Sequence, residues 1–164
     1  MRRTAVVVLC AIALAVGLYA SAQQPQTVSP KLRGVLDSMK AYAESKNNVN
    51  RTPQGNFYFK WLMSPPPEFE KAYFKLGELS KGTKFLSLAL VRKTPGGIEL
   101  IVLNDVDMNN AVEEAYKATG KNLQEADKAI GMASDKTKVP VTPEMAQYWA
   151  AMVDELKWEL KDNN

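Results

Sequence analysis

An α+β fold, with a small antiparallel sheet packed by four or five helices, is predicted by three features of the sequence. A hairpin pattern spans residues 84–104, with a possible third strand over 56–63. Helical stripes lie on either side of it, opened by Ser29-Pro30 and Thr142-Pro143. No strand–helix–strand rhythm joins them. The chain has 164 residues, 46% hydrophobic and 24% charged, which excludes a disordered tail, a collagen and a disulfide scaffold.

The N-terminus begins Met1-Arg2-Arg3, runs uncharged from Thr4 to Ala22, and ends that run in Ala20-Ser21-Ala22. A basic start, an apolar centre and a small-residue cleavage site define a secretory signal peptide over residues 1–22. The rival reading is a retained anchor, because the uncharged run is near the ~20 residues that cross a bilayer. Cys10 has no small residue just before it, so a lipoprotein signal is disfavoured. Residues 23–28 read as a short tether and 29–164 as one globular domain. Arg2 and Arg3 belong to the leader, so the rest carries 18 acids against one more base than that. A near-neutral domain gives no reason to expect nucleic acid, and contact with a membrane is expected only transiently, through the leader.

The elements follow in order. Ser29 as N-cap and Pro30 at the first helical position start a helix carrying Leu32, Val35, Leu36 and Met39 inward. A polar loop over 47–56 holds the sequon Asn50-Arg51-Thr52. Phe57 to Met63 is aromatic-rich and reads as a strand, stopped by Pro65-Pro66-Pro67. A helix is expected from Pro67-Glu68 to Gly82, on the spacing of Phe69, Ala72-Tyr73, Leu76 and Leu79, with Gly77 weakening it. Lys84–Arg92 and Ile98–Leu103 form the hairpin, closed by Thr94-Pro95-Gly96-Gly97 with positive φ at the glycine after Pro95. Both strands are apolar on both sides, so both faces of the sheet should be covered. Asp105 or Asp107 is expected to cap a further helix ending at Gly120, and Asn122 with Glu125 to cap the next. Residues 135–141 read as a loop, and the last helix buries Met145, Trp149, Met152-Val153, Leu156 and Leu160.

Missing residue types bound the chemistry. The chain has no His, and its one Cys lies in the leader. That excludes a Ser-His-Asp triad, a thiolate nucleophile, His/Cys zinc or copper sites and a disulfide. No cofactor is expected. Carboxylates remain, and Glu68, Glu70, Glu99, Asp105 and Asp107 are the candidates for a glycan hydrolase. Asp105-x-Asp107-x-Asn109 has the spacing of the first ligands of a calcium loop. Asn110 stands where that loop takes Gly and Tyr116 where it takes Glu, so the expectation is at most a weak calcium site. The methionines outside the leader (Met39, Met63, Met108, Met132, Met145 and Met152) are scattered singly and read as core.

Phe57, Tyr58, Phe59, Trp61, Phe69, Tyr73 and Phe74 crowd one stretch. Most are expected in the core, yet a strand has two faces, and Trp and Tyr are favoured at interface hot spots. Tyr58, Trp61, Tyr73 and the off-stripe Trp158 are therefore the candidate binding residues. The expectation is an exported, non-catalytic domain, secreted or periplasmic, that binds a protein or a cell-envelope component. The alternatives are a carboxylate-dependent cell-wall glycan hydrolase and a carrier of a small apolar ligand.

Overall fold

A computed structural model describes residues 27–132 and 136–161 of the chain. In order, it contains α1 (Pro30–Ser45), β1 (Val49–Thr52), β2 (Gly55–Trp61), β3 (Lys71–Leu79), β4 (Lys84–Thr94), β5 (Gly97–Asp105), β6 (Glu114–Gly120), α2 (Leu123–Gly131), β7 (Thr137–Val139) and α3 (Pro143–Lys161). The seven strands form one antiparallel sheet, each beside its neighbour in the chain. The leader expected over 1–22 and most of the tether expected over 23–28 lie outside the described residues. Among the described residues, no helix is long and apolar enough to cross a membrane.

Two layers cover the sheet. On one face, Leu32, Leu36 and Met39 of α1 and Trp149, Val153 and Leu156 of α3 pack on Phe74, Leu76, Leu86 and Leu88. Each wholly buried leucine contributes roughly 1.5–3 kcal/mol by leaving water, so the long central strands carry most of this core. On the second face, Ala126 of α2, flanked by Leu123 and Ile130, packs on Tyr73, Ala89, Val91, Leu100 and Val102. Sheet residues of opposite parity thus serve two apolar layers. This is the double covering expected from the hairpin's apolar strands.

The mixed α+β character holds, but its proportions are corrected. The described residues hold three helices and seven strands, not four or five helices on a sheet of two or three. The helix expected over 67–82 is β3. Its Ala72, Phe74 and Leu76 face α1 and α3, while Tyr73 and Gly77 face the other way. A strand buried on both sides has no polar alternation, and its apolar residues matched helical spacing by drawing on both faces. Gly77 is needed where the Phe85 ring lies across the strand, since a Cβ there would meet that ring at 2.2 Å. The helix expected to end at Gly120 is a loop followed by β6, whose Ala115 and Ala118 serve opposite faces. The sequon Asn50 lies in β1 rather than a loop, and the 135–141 segment contains β7. In the hairpin turn the positive φ falls on Gly97, at 137°, and not on Gly96.

Other expectations hold. α1 starts at Pro30, although the Ser29 side chain makes no cap hydrogen bond. Asn122 caps α2 by accepting the Glu125 N–H at 3.0 Å. The Thr142 hydroxyl accepts the Met145 N–H at 3.2 Å, and the α3 stripe Trp149, Met152, Val153, Leu156 and Leu160 is buried.

Candidate functional site

The four candidate binding residues do not share one surface. Tyr58 is buried on the face covered by α1 and α3, where its hydroxyl donates to Glu78 at 3.3 Å and Lys40 approaches its ring. Trp158 is 55% exposed, on α3. Trp61 and Tyr73 are direct cross-strand partners on the second face, with ring centroids 4.6 Å apart. Tyr73 is buried and donates its hydroxyl to Asp127 of α2 at 3.1 Å, whereas Trp61 is 43% exposed. An exposed ring resting on a buried, hydrogen-bonded one is held in place without being covered, as a contact anchor requires.

The surroundings of Trp61 extend this patch. Lys71 lies over its ring, 5.9 Å from the centroid. Phe59 follows along β2, and Lys75 stands opposite it on β3. Met63, expected in the core, is 77% exposed. It stands beyond the end of β2, ahead of the prolines that prevent the strand continuing.

A buried ion pair fixes the backbone under the patch. Lys60 points to the face covered by α1 and α3, where its ammonium bonds the Glu159 carboxylate of α3, donates to the Trp61 carbonyl at 2.8 Å and lies over the Tyr42 ring. Glu159 also accepts the Met63 N–H at 2.6 Å. α3 therefore clamps the chain at Trp61 and Met63. A pattern reading missed both residues. Lys60 stands amid apolar side chains, and Glu159 sits inside the α3 stripe, and neither oddity says that the two meet.

The acidic loop lies at the far end of β5. Asp105 is wholly buried, and its carboxylate accepts backbone N–H groups from Asn109 at 3.1 Å and Asn110 at 2.8 Å. Burial pushes its carboxyl up to about 6, with the charges of Glu113 and Asp107 adding to the rise. Asp107 accepts from the Asn109 backbone at 3.0 Å and side chain at 2.9 Å, and Glu113 accepts the Val106 N–H at 2.9 Å. Asp105, Asp107 and Glu113 offer oxygens within 4.8 Å of one another, so among the described residues they are the group that could hold a cation. Glu113, not position 116, supplies the third carboxylate. The Asn109 side-chain oxygen is turned to the Ala111 N–H at 2.7 Å. With N–H groups already aimed at these oxygens, the loop is folded around the Asp105 charge. It takes φ of 64° at Met108 and 73° at Asn110 to do so.

The remaining carboxylates are engaged elsewhere. Glu99 is buried and bonds Lys117 and Arg92, the latter through Nε at 2.6 Å. Burial alone would raise its carboxyl, but these two cations outweigh that and hold it below the usual range. It is therefore poorly suited to donating a proton near neutral pH. Glu99 and Asp105 are six positions apart on β5, about 20 Å at strand rise, so they do not face one bond. Glu70 pairs with Lys93 at 2.7 Å, while Glu68 and Glu144 flank the Tyr148 hydroxyl. A shallow groove of about 110 Å³ lies between α1 and α3, lined by Gly34, Ser38, Lys157 and Leu160 among others. It is smaller than the ~300 Å³ at which small-molecule pockets begin.

The chain matches no family model, no curated protein and no solved structure. The reading of its function accordingly rests on the geometry of Trp61 and its neighbours.

Proposed function

We propose that this chain is an exported, non-catalytic binding domain that contacts a protein or cell-envelope component through the sheet face around Trp61. The observation that carries the reading is the half-exposed Trp61 ring, seated on buried Tyr73 and backed by the Lys60–Glu159 clamp. Maintaining a large aromatic side chain in water forgoes the stabilisation of burying it, and the surrounding contacts fix its position. Export, to the extracellular space or the periplasm, is supported by the leader pattern in residues 1–22.

The test is co-sedimentation of the purified chain with cell-envelope fractions of its source organism, and with the soluble exported proteins after cross-linking. Trp61→Ser is expected to lose the bound fraction while its circular dichroism spectrum stays that of the parent. Equal binding by parent and Trp61→Ser would refute the reading. The hydrolase alternative makes a different demand. A cleared band on a peptidoglycan gel, lost in Glu99→Gln or Asp105→Asn, would put catalysis in place of contact.

A further inference from the structure

The sheet has two edges, and they differ. β7 is short and carries or adjoins Lys136, Lys138 and Pro140, residue types that discourage further strand pairing. β1 has neither lysine nor proline within Val49–Thr52. The main contacts of the helices with the sheet are α1 on β2 and α2 on β5 and β6, and no strand lies beyond β1 among the described residues. One bond sets the phase of this edge. The Asn48 carbonyl accepts the Phe59 N–H at 3.0 Å, in line with the register of β1 on β2. Antiparallel pairs alternate, so Asn50 and Thr52 also bond inward to β2, while Val49 and Arg51 direct their N–H and C=O groups outward. These outward groups have no hydrogen-bond partner among the described residues.

The side chains of β1 suit the same segment turned about. Val49 packs against the core under α1 and α3, so Arg51 shares that face and Asn50 lies on the other. The half-buried Asn50 carboxamide makes no hydrogen bond among the described residues. Arg51 is exposed and stands 3.6 Å from exposed Glu44 of α1. We infer that β1 is the seam of a two-fold dimer, in which it pairs antiparallel with β1 of a second copy about an axis through Asn50. Val49 then faces Arg51 of the second copy, and the reverse, so the outward N–H and C=O groups of both copies are satisfied. Asn50 meets its own counterpart as a non-hydrogen-bonded pair, the closer kind, where each amide donates to the other. Each copy brings Arg51 and Glu44 to the seam, so cations and anions balance there. Any strand offers β1 a backbone, but an identical one also sets an amide against the Asn50 amide and a Glu beside the added Arg. This seam does not rest on the binding function proposed above.

Sedimentation velocity of the purified chain, from about 1 μM to about 1 mM, is expected to show a monomer–dimer equilibrium, weak because the seam is short. Asn50→Asp sets like charges face to face and should weaken the dimer about tenfold near neutral pH, with the circular dichroism spectrum unchanged. A cross-link reads the register. In a Cys10→Ser background, Asn50→Cys should form a disulfide between copies on mild oxidation, because a non-hydrogen-bonded pair holds its Cα atoms about 4.5 Å apart, within disulfide range. Gln54→Cys, exposed at the tip of the β1–β2 hairpin, should remain uncross-linked under the same conditions. A monomer throughout the concentration series would overturn the seam, and so would the absence of the Asn50→Cys cross-link or equal cross-linking at both positions. A dimer that survives Asn50→Asp would overturn it too, and its loss in Trp61→Ser would place the contact on the sheet face instead. Envelope co-sedimentation of parent and Trp61→Ser is a separate measurement, so the two readings fail separately.

Discussion

Replacing Lys60 by methionine takes the ammonium away from the buried Glu159 carboxylate, which keeps the Met63 N–H at 2.6 Å. The side chain of similar length keeps the packing against Tyr42 and removes the charge. Breaking a buried pair from one side costs about 3–5 kcal/mol, because the remaining ion is desolvated and uncompensated. For a chain of this size that lowers the melting midpoint by roughly 10 °C. Glu159→Leu should be similar, since it strands the Lys60 ammonium and frees the Met63 N–H. The double variant Lys60→Met/Glu159→Leu removes both charges. It leaves the Met63 N–H and the Trp61 carbonyl without those partners, a penalty of about 1–3 kcal/mol each if no water reaches them. The double should therefore cost less than the two singles added together, by on the order of 3 kcal/mol. Urea unfolding followed by far-ultraviolet circular dichroism on all four proteins closes the cycle. Additive losses, or single-variant costs below about 1 kcal/mol, would show that the pair is not the clamp described above.

Two further outcomes follow from the structure. The Asp105 carboxyl is raised to about 6 in the fold, so its contribution to stability is present below its unfolded value and is lost as pH rises through 6. Glu78 and Glu99 are held below the usual range by their cations, and their contribution is lost only on further acidification. Stability measured from pH 5 to 7 should therefore fall in the parent and flatten in Asp105→Asn, and parallel slopes would contradict the assignment. Gly77→Ala places a Cβ 2.2 Å from the Phe85 ring and should cost about 1–3 kcal/mol by overpacking. Adding Phe85→Ala should recover part of that loss, and thermal melts of the three variants check it.

Local chemistry made several elements legible. Pro at a first helical position, Asn122 with Glu125, the Pro95-Gly96-Gly97 turn and the α3 stripe each act within a few residues, so a linear reading finds them. Apolar residues on both sides of 84–103 correctly demanded a covering layer on each face. β3 escaped for the same reason that it is central to the fold. Strands buried on both faces lose their alternation, and short stretches such as Phe69–Leu79 then match either period. Of the candidate site, the type of residue was readable and its exposure was not. Tyr58 and Trp61 are three positions apart in the same strand, yet one faces α1 across the core and the other faces solvent.

The sequence by itself determined where the three observed helices begin, but not that they are the helices of the fold; it also determined which nucleophiles and ligands the chain lacks, and that its apolar content would need two covering layers. Tertiary structure alone decided that seven strands join one sheet, that Lys60 meets Glu159 across 99 positions, and that Trp61 is left part-exposed beside Lys71. Caps and turns are set by neighbours in the chain. Register, burial and charge balance on a face are set by residues that meet only once the sheet has formed.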